Sequence, residues 1–113
     1  QDIKITPIRA LHGWLEIFGF RIENFAYLTD VKTMSQVERD KLKNIDVMVV
    51  NALRISHHET HFSLQEALDF IADIKPKKAY ITHISHLLGF HDQVQSQLPE
   101  NVFLAYDNLQ IEI

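Results

Sequence analysis

The chain of 113 residues is 46% hydrophobic and 23% charged, a composition typical of a single small globular domain. Its formal net charge of −4 gives no electrostatic reason to expect a nucleic-acid partner, and the absence of cysteine excludes disulfides and thiolate metal ligands. No apolar run approaches the roughly 20 residues of a membrane span, and no signal peptide is recognisable, so the sequence favours a cytoplasmic protein without a membrane partner.

Three strands are predicted in the first part of the chain, over residues 3–10, 15–22 and 25–29. Pro7 has no backbone N–H to give to a neighbouring strand, so the first strand is predicted to lie at a sheet edge or to contain a bulge. The second and third strands are typical of a hairpin with a turn at Glu23-Asn24. Gly19, inside the second strand, indicates a bulge or a tight bend.

Helices and strands alternate in the middle of the chain. Two capping boxes, Ser35–Glu38 and Ser63–Glu66, predict the starts of two helices. The first helix is predicted to end near Lys43, and the second keeps apolar residues at helical spacing until Pro76 ends it. This alternation predicts an α/β sheet with helices on a face. A continuous apolar run predicts a buried strand over residues 47–50, and a further strand is predicted over residues 78–82.

The last part of the chain is predicted to contain one more helix and a hairpin. The helix covers residues 91–98. The hairpin joins residues 102–106 to 109–113 around Asp107-Asn108, a favoured pair for a two-residue turn. No repeat or linker marks an internal boundary, so residues 1–113 are predicted to form one domain.

Ligand-type side chains directly follow two of the predicted strands. Asp30 comes after the strand 25–29, and His83 comes after the strand 78–82. In open α/β sheets, functional groups gather at the carboxyl ends of strands, which makes these two residues candidates for a metal site. The local sequence leaves an alternative open at each position: Asp30 could cap a turn, and His83 could be a buried histidine bonded to backbone carbonyl groups.

The other histidines carry less information by themselves. His61 lies in the polar loop predicted over residues 54–61, just before a capped helix, and a neutral imidazole held there can give or take a proton near pH 7. His86 is interpreted as a supporting group or a helix cap, and His91 as part of the next helix. His12 follows the first strand and by itself indicates nothing.

Four segments together carry a family resemblance: LHGWLEIFGFRIENFAYLTD (11–30), HFSLQEALDFI (61–71), KKAYITHISH (77–86) and VFLAYDNLQIEI (102–113). They resemble the carboxyl-terminal half of the metallo-β-lactamase superfamily, and in particular its phosphoribosyl cyclic phosphodiesterase (PhnP-like) group. The resemblance covers nearly the whole chain in the same order. It implies the carboxyl-terminal half of an αββα sandwich, with a mixed β-sheet and helices on one face.

The resemblance also implies roles for individual residues. His12 would complete the ligands of one metal, Asp30 would bridge two metals, and His83 would bind the second. His61 would be a non-ligand catalytic histidine that assists substrate binding or protonates the leaving group. His86 would support the site from nearby. The implied cofactors are two divalent metal ions, zinc or manganese, in the full-length protein.

One departure from the family pattern is large. The signature His-x-His-x-Asp-His, which supplies two ligands to each metal, does not occur in these 113 residues, and the chain begins with Gln1 instead of Met. We therefore expect the carboxyl-terminal portion of a longer hydrolase, with poor metal occupancy and no activity in the isolated portion. Loss of one sheet would expose apolar surface and favour a homo-oligomer.

The predicted function is a metal-dependent phosphodiesterase that acts on a small phosphodiester. An alternative within the superfamily is a nuclease or tRNA-processing enzyme, which the acidic balance disfavours. An alternative of another class is a non-catalytic α/β module for binding or scaffolding. Because only a site requires His12, Asp30 and His83 to converge, the distances between these side chains separate the two classes.

Overall fold

The computed structural model describes residues 3–52, 63–82, 95–96, 98–105 and 110–111 of the chain. They form a six-stranded sheet whose strand order follows the chain: β1 (Ile5–His12), β2 (Leu15–Ile22), β3 (Phe25–Tyr27), β4 (Val47–Asn51), β5 (Lys78–Thr82) and β6 (Val102–Leu104). Two helices, α1 (Gln36–Asp40) and α2 (Leu64–Ile74), lie in the connections on either side of β4. None of the helices in these ranges is long and apolar enough to cross a membrane.

The sheet is mixed, as predicted. β2 pairs antiparallel with both β1 and β3, whereas β3, β4, β5 and β6 pair parallel with one another. Every strand except β2 therefore runs in the same direction. Their carboxyl ends lie along one edge, the carboxyl edge of the sheet, which is where α/β sheets build their sites.

One face of the sheet is the core. Side chains alternate between the two faces of a strand, and the core face carries small and aliphatic residues. Helix α2 packs its buried Ala67, Phe70 and Ile71 into the same hydrophobic cluster. This arrangement confirms the α/β fold class with helices on one face. The buried strand residues of the cluster are Ile8, Ala10, Ala26, Met48, Val50, Ala79, Ile81, Val102 and Leu104.

The opposite face is apolar but exposed over β1, β2 and β3. Phe20 stands opposite Tyr27, and Ile5 stands opposite Ile22. These four side chains and Phe18 keep between 36% and 58% of their surface exposed. A contiguous apolar patch of this kind is typical of an interaction surface. Association of the chain through this face stays a prediction.

The edge position predicted for β1 is confirmed, and the bulge is absent. β1 is the first strand in the order and pairs with β2 in unbroken register over all eight residues. Pro7 has no N–H, the Arg9 N–H donates to Glu38 Oε1 at 2.7 Å, and the Leu11 N–H donates to the Thr33 carbonyl at 2.9 Å. Pro7, Arg9 and Leu11 therefore offer no N–H group along this edge for pairing with a strand of another chain.

The bulge predicted at Gly19 is also absent, and the structure gives another reason for glycine. Gly19 pairs with Ile8 within the continuous ladder. A Cβ atom at this position would lie 2.5 Å from Leu28 Cδ2 and 2.8 Å from the Tyr27 carbonyl oxygen. Glycine is therefore required by the close approach of the β3 segment.

The predicted helix starts are confirmed, and one helix end differs. Ser35 and Ser63 are the N-caps of α1 and α2, and the capping box is complete at Ser63–Glu66. At α1 the Glu38 carboxylate instead accepts from the Arg9 N–H and from Lys41 Nζ. Helix α1 ends at Asp40 instead of near residue 43, because the next N–H groups bond to carbonyls three residues back and Asn44 adopts a left-handed φ of 60°. The loop predicted over 54–61 lies outside the described residues, as do most of the predicted helix 91–98 and most of the hairpin strand 109–113 with its turn.

Candidate metal centre

Three side chains with polar groups lie where parallel strands end at the carboxyl edge. His12 is the last residue of β1, Asp30 follows β3 by three residues, and Asn51 is the last residue of β4. The structure brings His12 and Asp30 into direct contact: His12 Nδ1 lies 3.0 Å from the backbone carbonyl oxygen of Asp30. Two of the three residues predicted as metal ligands are therefore neighbours.

This contact indicates which nitrogen of the neutral His12 ring carries the proton. A carbonyl oxygen can only accept, so Nδ1 donates its proton to Asp30 and the lone pair of the neutral imidazole resides on Nε2. Histidines that ligate metals commonly donate their other ring N–H to a backbone carbonyl or a carboxylate, which fixes the tautomer and the ring plane. The tautomer of His12 thus suits a metal ligand that binds through Nε2.

Asp30 lies at the tip of a short turn that we call the Asp30 loop (28–33). The Leu28 N–H still bonds to Val49 of β4 at 2.8 Å, whereas the Lys32 N–H already bonds to Leu11 of β1 at 2.8 Å. Between these anchors, Asp30 adopts the left-handed conformation, with a φ of 61°. Aspartate is among the few non-glycine residues that visit this region. Asp30 therefore occupies a turn position that suits aspartate, and this backbone conformation is compatible with a ligand role for the carboxylate.

The side chain of Asn51 holds the Asp30 loop through two hydrogen bonds to its backbone. This side chain is fully buried. Asn51 Oδ1 accepts from the Val31 N–H at 2.8 Å, and Asn51 Nδ2 donates to the Val31 carbonyl at 2.9 Å. The sequence analysis missed this residue, although it follows the apolar run 47–50 just as Asp30 and His83 follow their strands.

A partly buried ion pair ties the Asp30 loop to helix α2. Lys32 Nζ donates to both carboxylate oxygens of Glu66, at 2.9 and 2.8 Å, and the Lys32 side chain is 11% exposed. Glu66 Oε1 also accepts from the Ser63 N–H at 2.9 Å, which completes the capping box of α2. The Asp30 loop and the first turn of α2 are thus held together. The N-cap of α2, Ser63, comes two residues after His61 in the sequence.

These bonds make the stability of the protein depend on the charge of Glu66. Burial by itself raises the pKa of Glu66, but the hydrogen bonds from Lys32 and Ser63 outweigh it and hold the pKa below its ordinary value. A carboxyl group with a lowered pKa in the folded state stabilises the fold above its unfolded pKa. That stabilisation is lost as the pH falls through the lower, folded pKa.

We predict that Glu66→Gln lowers the free energy of unfolding by about 1–2 kcal/mol at pH 7, because the charged partner of Lys32 is lost while partial exposure moderates the effect. The difference from the wild type should shrink as the pH is lowered below about 4. Urea unfolding at several pH values measures this. Asp69→Asn is the matched control, since Asp69 is an exposed carboxylate on α2 that accepts from neutral Gln65. A Glu66→Gln deficit that stays constant from pH 7 to pH 3 would contradict the prediction.

The remaining predicted site residues, His61, His83 and His86, lie outside the described residues, and their roles stay predictions. Within the described ranges, no group of three or more histidine, cysteine, aspartate or glutamate side chains could hold a metal ion. The described donors are one imidazole and one carboxylate. Their types fit zinc and manganese alike.

A match to a protein-family model identifies the superfamily of the chain. The family model described as Beta-lactamase superfamily domain matches residues 1–84, well over half of the chain. The chain therefore belongs to this superfamily.

Two solved structures refine the assignment. The crystal structure of a diphosphatase from the PhnP family superposes with a TM-score of 0.95 at 36% sequence identity, covering 98% of this chain and 44% of that one. The metallo-β-lactamase fold protein YhfI from Bacillus subtilis superposes with a TM-score of 0.68 at 16% identity, covering 91% of this chain and 46% of that one. The second likeness shows the fold alone. Together with the family match, these findings confirm a metallo-β-lactamase superfamily member close to PhnP.

A protein of Porphyromonas gingivalis (strain ATCC BAA-308 / W83) named octanoyltransferase is 32% identical over 110 residues, which is 96% of this chain and 22% of that protein. The chain thus spans less than half of each of these relatives. Because the similarity reaches a minor part of the transferase, it does not indicate which part of that protein carries the activity in its name.

Proposed function

We propose that the chain forms the carboxyl-terminal part of a metal-dependent hydrolase of phosphate esters. The observation that carries the proposal is the contact between His12 and Asp30 at the carboxyl edge, with His12 in the tautomer whose lone pair lies on Nε2. Membership of the superfamily and the match to a PhnP-family diphosphatase support it.

In this proposal, His12, Asp30 and His83 hold divalent metal ions together with ligands from the rest of the full-length protein. Bound divalent cations lower the pKa of a coordinated water and neutralise charge on a phosphate group. The residues of this chain fix the site: His12 is oriented by the Asp30 carbonyl, and the Asp30 loop is held by Asn51 and by the Lys32–Glu66 pair. We assign to His61 the protonation of the leaving group, because it precedes the rigidly capped start of α2.

The substrate we propose first is a small phosphodiester. A diphosphate linkage is the second candidate, because the structure that matches at 36% identity is that of a diphosphatase. Both substrates present an anionic phosphorus centre with a substituted oxygen as leaving group. The same metal ions and the same proton donor can therefore act on both. We do not propose acyl transfer, since the chain spans 22% of the octanoyltransferase it matches.

The test is hydrolysis by the full-length protein. We expect turnover of bis(p-nitrophenyl) phosphate or of a dinucleoside diphosphate, loss of that turnover in EDTA, and its return with added Mn²⁺ or Zn²⁺. Comparing the two substrates at equal concentration ranks the phosphodiester against the diphosphate linkage. Turnover of single-stranded RNA in preference to both would favour the nuclease alternative. Absence of turnover with all three, in protein that is folded and loaded with metal, would contradict the proposal.

A further inference from the structure

A single peptide group connects buried Asn51 to the ring of His12. The carbonyl oxygen of this peptide belongs to Asp30 and accepts from His12 Nδ1 at 3.0 Å. Its N–H belongs to Val31 and donates to Asn51 Oδ1 at 2.8 Å. Because the peptide is planar and rigid, its C=O and N–H turn together. Any rotation that loosens the Asn51 bond therefore also moves the acceptor of the His12 ring.

The second bond of Asn51 fixes the direction of the first. Asn51 Nδ2 donates to the Val31 carbonyl at 2.9 Å, so the amide meets a donor with its oxygen and an acceptor with its nitrogen. Turning the amide by 180° would oppose like groups at both positions. Full burial of the side chain leaves no water to satisfy these groups in another arrangement. The orientation of Asn51 is thus determined, and it determines that of the 30–31 peptide.

The backbone bonds on either side of this peptide hold other parts of the Asp30 loop. The Leu28 N–H bonds to Val49, and the N–H groups of Lys32 and Thr33 bond to Leu11. Asp30 needs such a restraint, because its φ of 61° lies in a region that residues other than glycine rarely occupy. His12 and Asn51 hold the peptide that follows Asp30 from its two ends.

We propose that Asn51 is a positioning residue for the metal centre, acting through the 30–31 peptide on both His12 and Asp30. It fixes the carbonyl that sets the tautomer and plane of the His12 ring. It also fixes the left-handed backbone from which the Asp30 side chain leaves. This inference rests on the proposed function, since it concerns the two residues assigned there as ligands.

The test compares Asn51→Ala and Asn51→Asp with the wild type in the full-length protein. Asn51→Asp keeps the shape and the acceptor for the Val31 N–H but places an oxygen against the Val31 carbonyl. Both variants are expected to bind Mn²⁺ about 10–100-fold more weakly, as measured by calorimetry with the metal alone. In the metal-free protein at pH 8, ¹⁵N NMR of the imidazole should show His12 as the Nδ1–H tautomer in the wild type. A mixture of tautomers is expected in both variants.

Leu42→Ala is the matched control. Leu42 is fully buried in the same core but precedes β4, at the opposite edge of the sheet, so its loss destabilises the fold without touching the 30–31 peptide. It should leave the Mn²⁺ affinity and the His12 tautomer unchanged. If the wild type binds no Mn²⁺ or Zn²⁺, the proposed function fails, and this inference fails with it.

If the wild type binds metal and either Asn51 variant keeps both the affinity and the tautomer, the positioning role alone is overturned. An equal loss of affinity in Leu42→Ala would also overturn it, because general destabilisation would then explain the effect.

Discussion

Asp30→Asn should lower kcat/KM toward the preferred phosphate ester by about a thousandfold or more while leaving the protein folded. Metal ions supply several kcal/mol of charge stabilisation in such sites, and every loss of about 1.4 kcal/mol is tenfold in rate. A neutral amide is a poor substitute for a carboxylate that binds two cations. Asparagine also tolerates the left-handed conformation that Asp30 adopts, so the backbone is not strained by the change.

Asp40→Asn provides the control for this experiment, since it makes the same chemical change in an exposed residue at the end of α1. We expect its kcat/KM to equal that of the wild type. Metal content, measured by atomic emission, should fall in Asp30→Asn and not in Asp40→Asn. An Asp30→Asn variant that keeps more than about a tenth of the wild-type rate would remove Asp30 from the proposed ligand set.

Gly19→Ala should lower the free energy of unfolding by about 3 kcal/mol, at the upper end of the usual cost of overpacking a core. The added Cβ would lie 2.8 Å from the Tyr27 carbonyl oxygen, which belongs to the backbone and cannot rotate away. It would also lie 2.5 Å from Leu28 Cδ2. Because Gly19 is not among the residues with positive φ in the structure, the cost is steric. The shift of the urea midpoint at constant m measures it.

A double-mutant cycle separates the two contacts. Leu28→Val removes the Cδ2 atom and leaves the Tyr27 carbonyl in place, so Gly19→Ala should cost about 1 kcal/mol less in that background than alone. Equal costs in both backgrounds would mean that Leu28 is not the obstacle. A Gly19→Ala protein as stable as the wild type would show that β2 and β3 do not approach as closely as the structure indicates.

Much of the fold is predictable from local signals. The capping residues Ser35 and Ser63 can be recognised from their spacing to Glu38 and Glu66. The apolar run before Asn51 predicts a buried strand. These signals operate within a few residues of each other, which is why a single sequence contains them. Gly19 shows the limit: a lone glycine in a strand is compatible with a bulge or with a close neighbour, and here the neighbours are Tyr27 and Leu28 on the next strand segment.

The candidate site likewise contains residues that the local sequence indicates and residues that it does not. The rule that groups gather at strand ends indicated Asp30 from the sequence, whereas His12 was suggested by the family resemblance alone. Asn51 obeys the same rule, but its side-chain amide does not titrate and is not a typical zinc ligand, so its residue type does not indicate a site. The Lys32–Glu66 pair spans 34 residues and has no local signature. The pairing of Lys32 with Glu66 therefore could not be predicted from the sequence, whereas the strand-end position of Asn51 could.

If His12 and Asp30 belong to a metal centre, an anomalous-diffraction map of full-length crystals grown with Zn²⁺ or Mn²⁺ will locate the metal beside them. We expect a peak at the carboxyl edge, about 2.0–2.2 Å from His12 Nε2 or from an Asp30 carboxylate oxygen, with His12 Nδ1 still bonded to the Asp30 carbonyl. A well-ordered carboxyl edge without a metal peak, or a peak bound by neither residue, would contradict it.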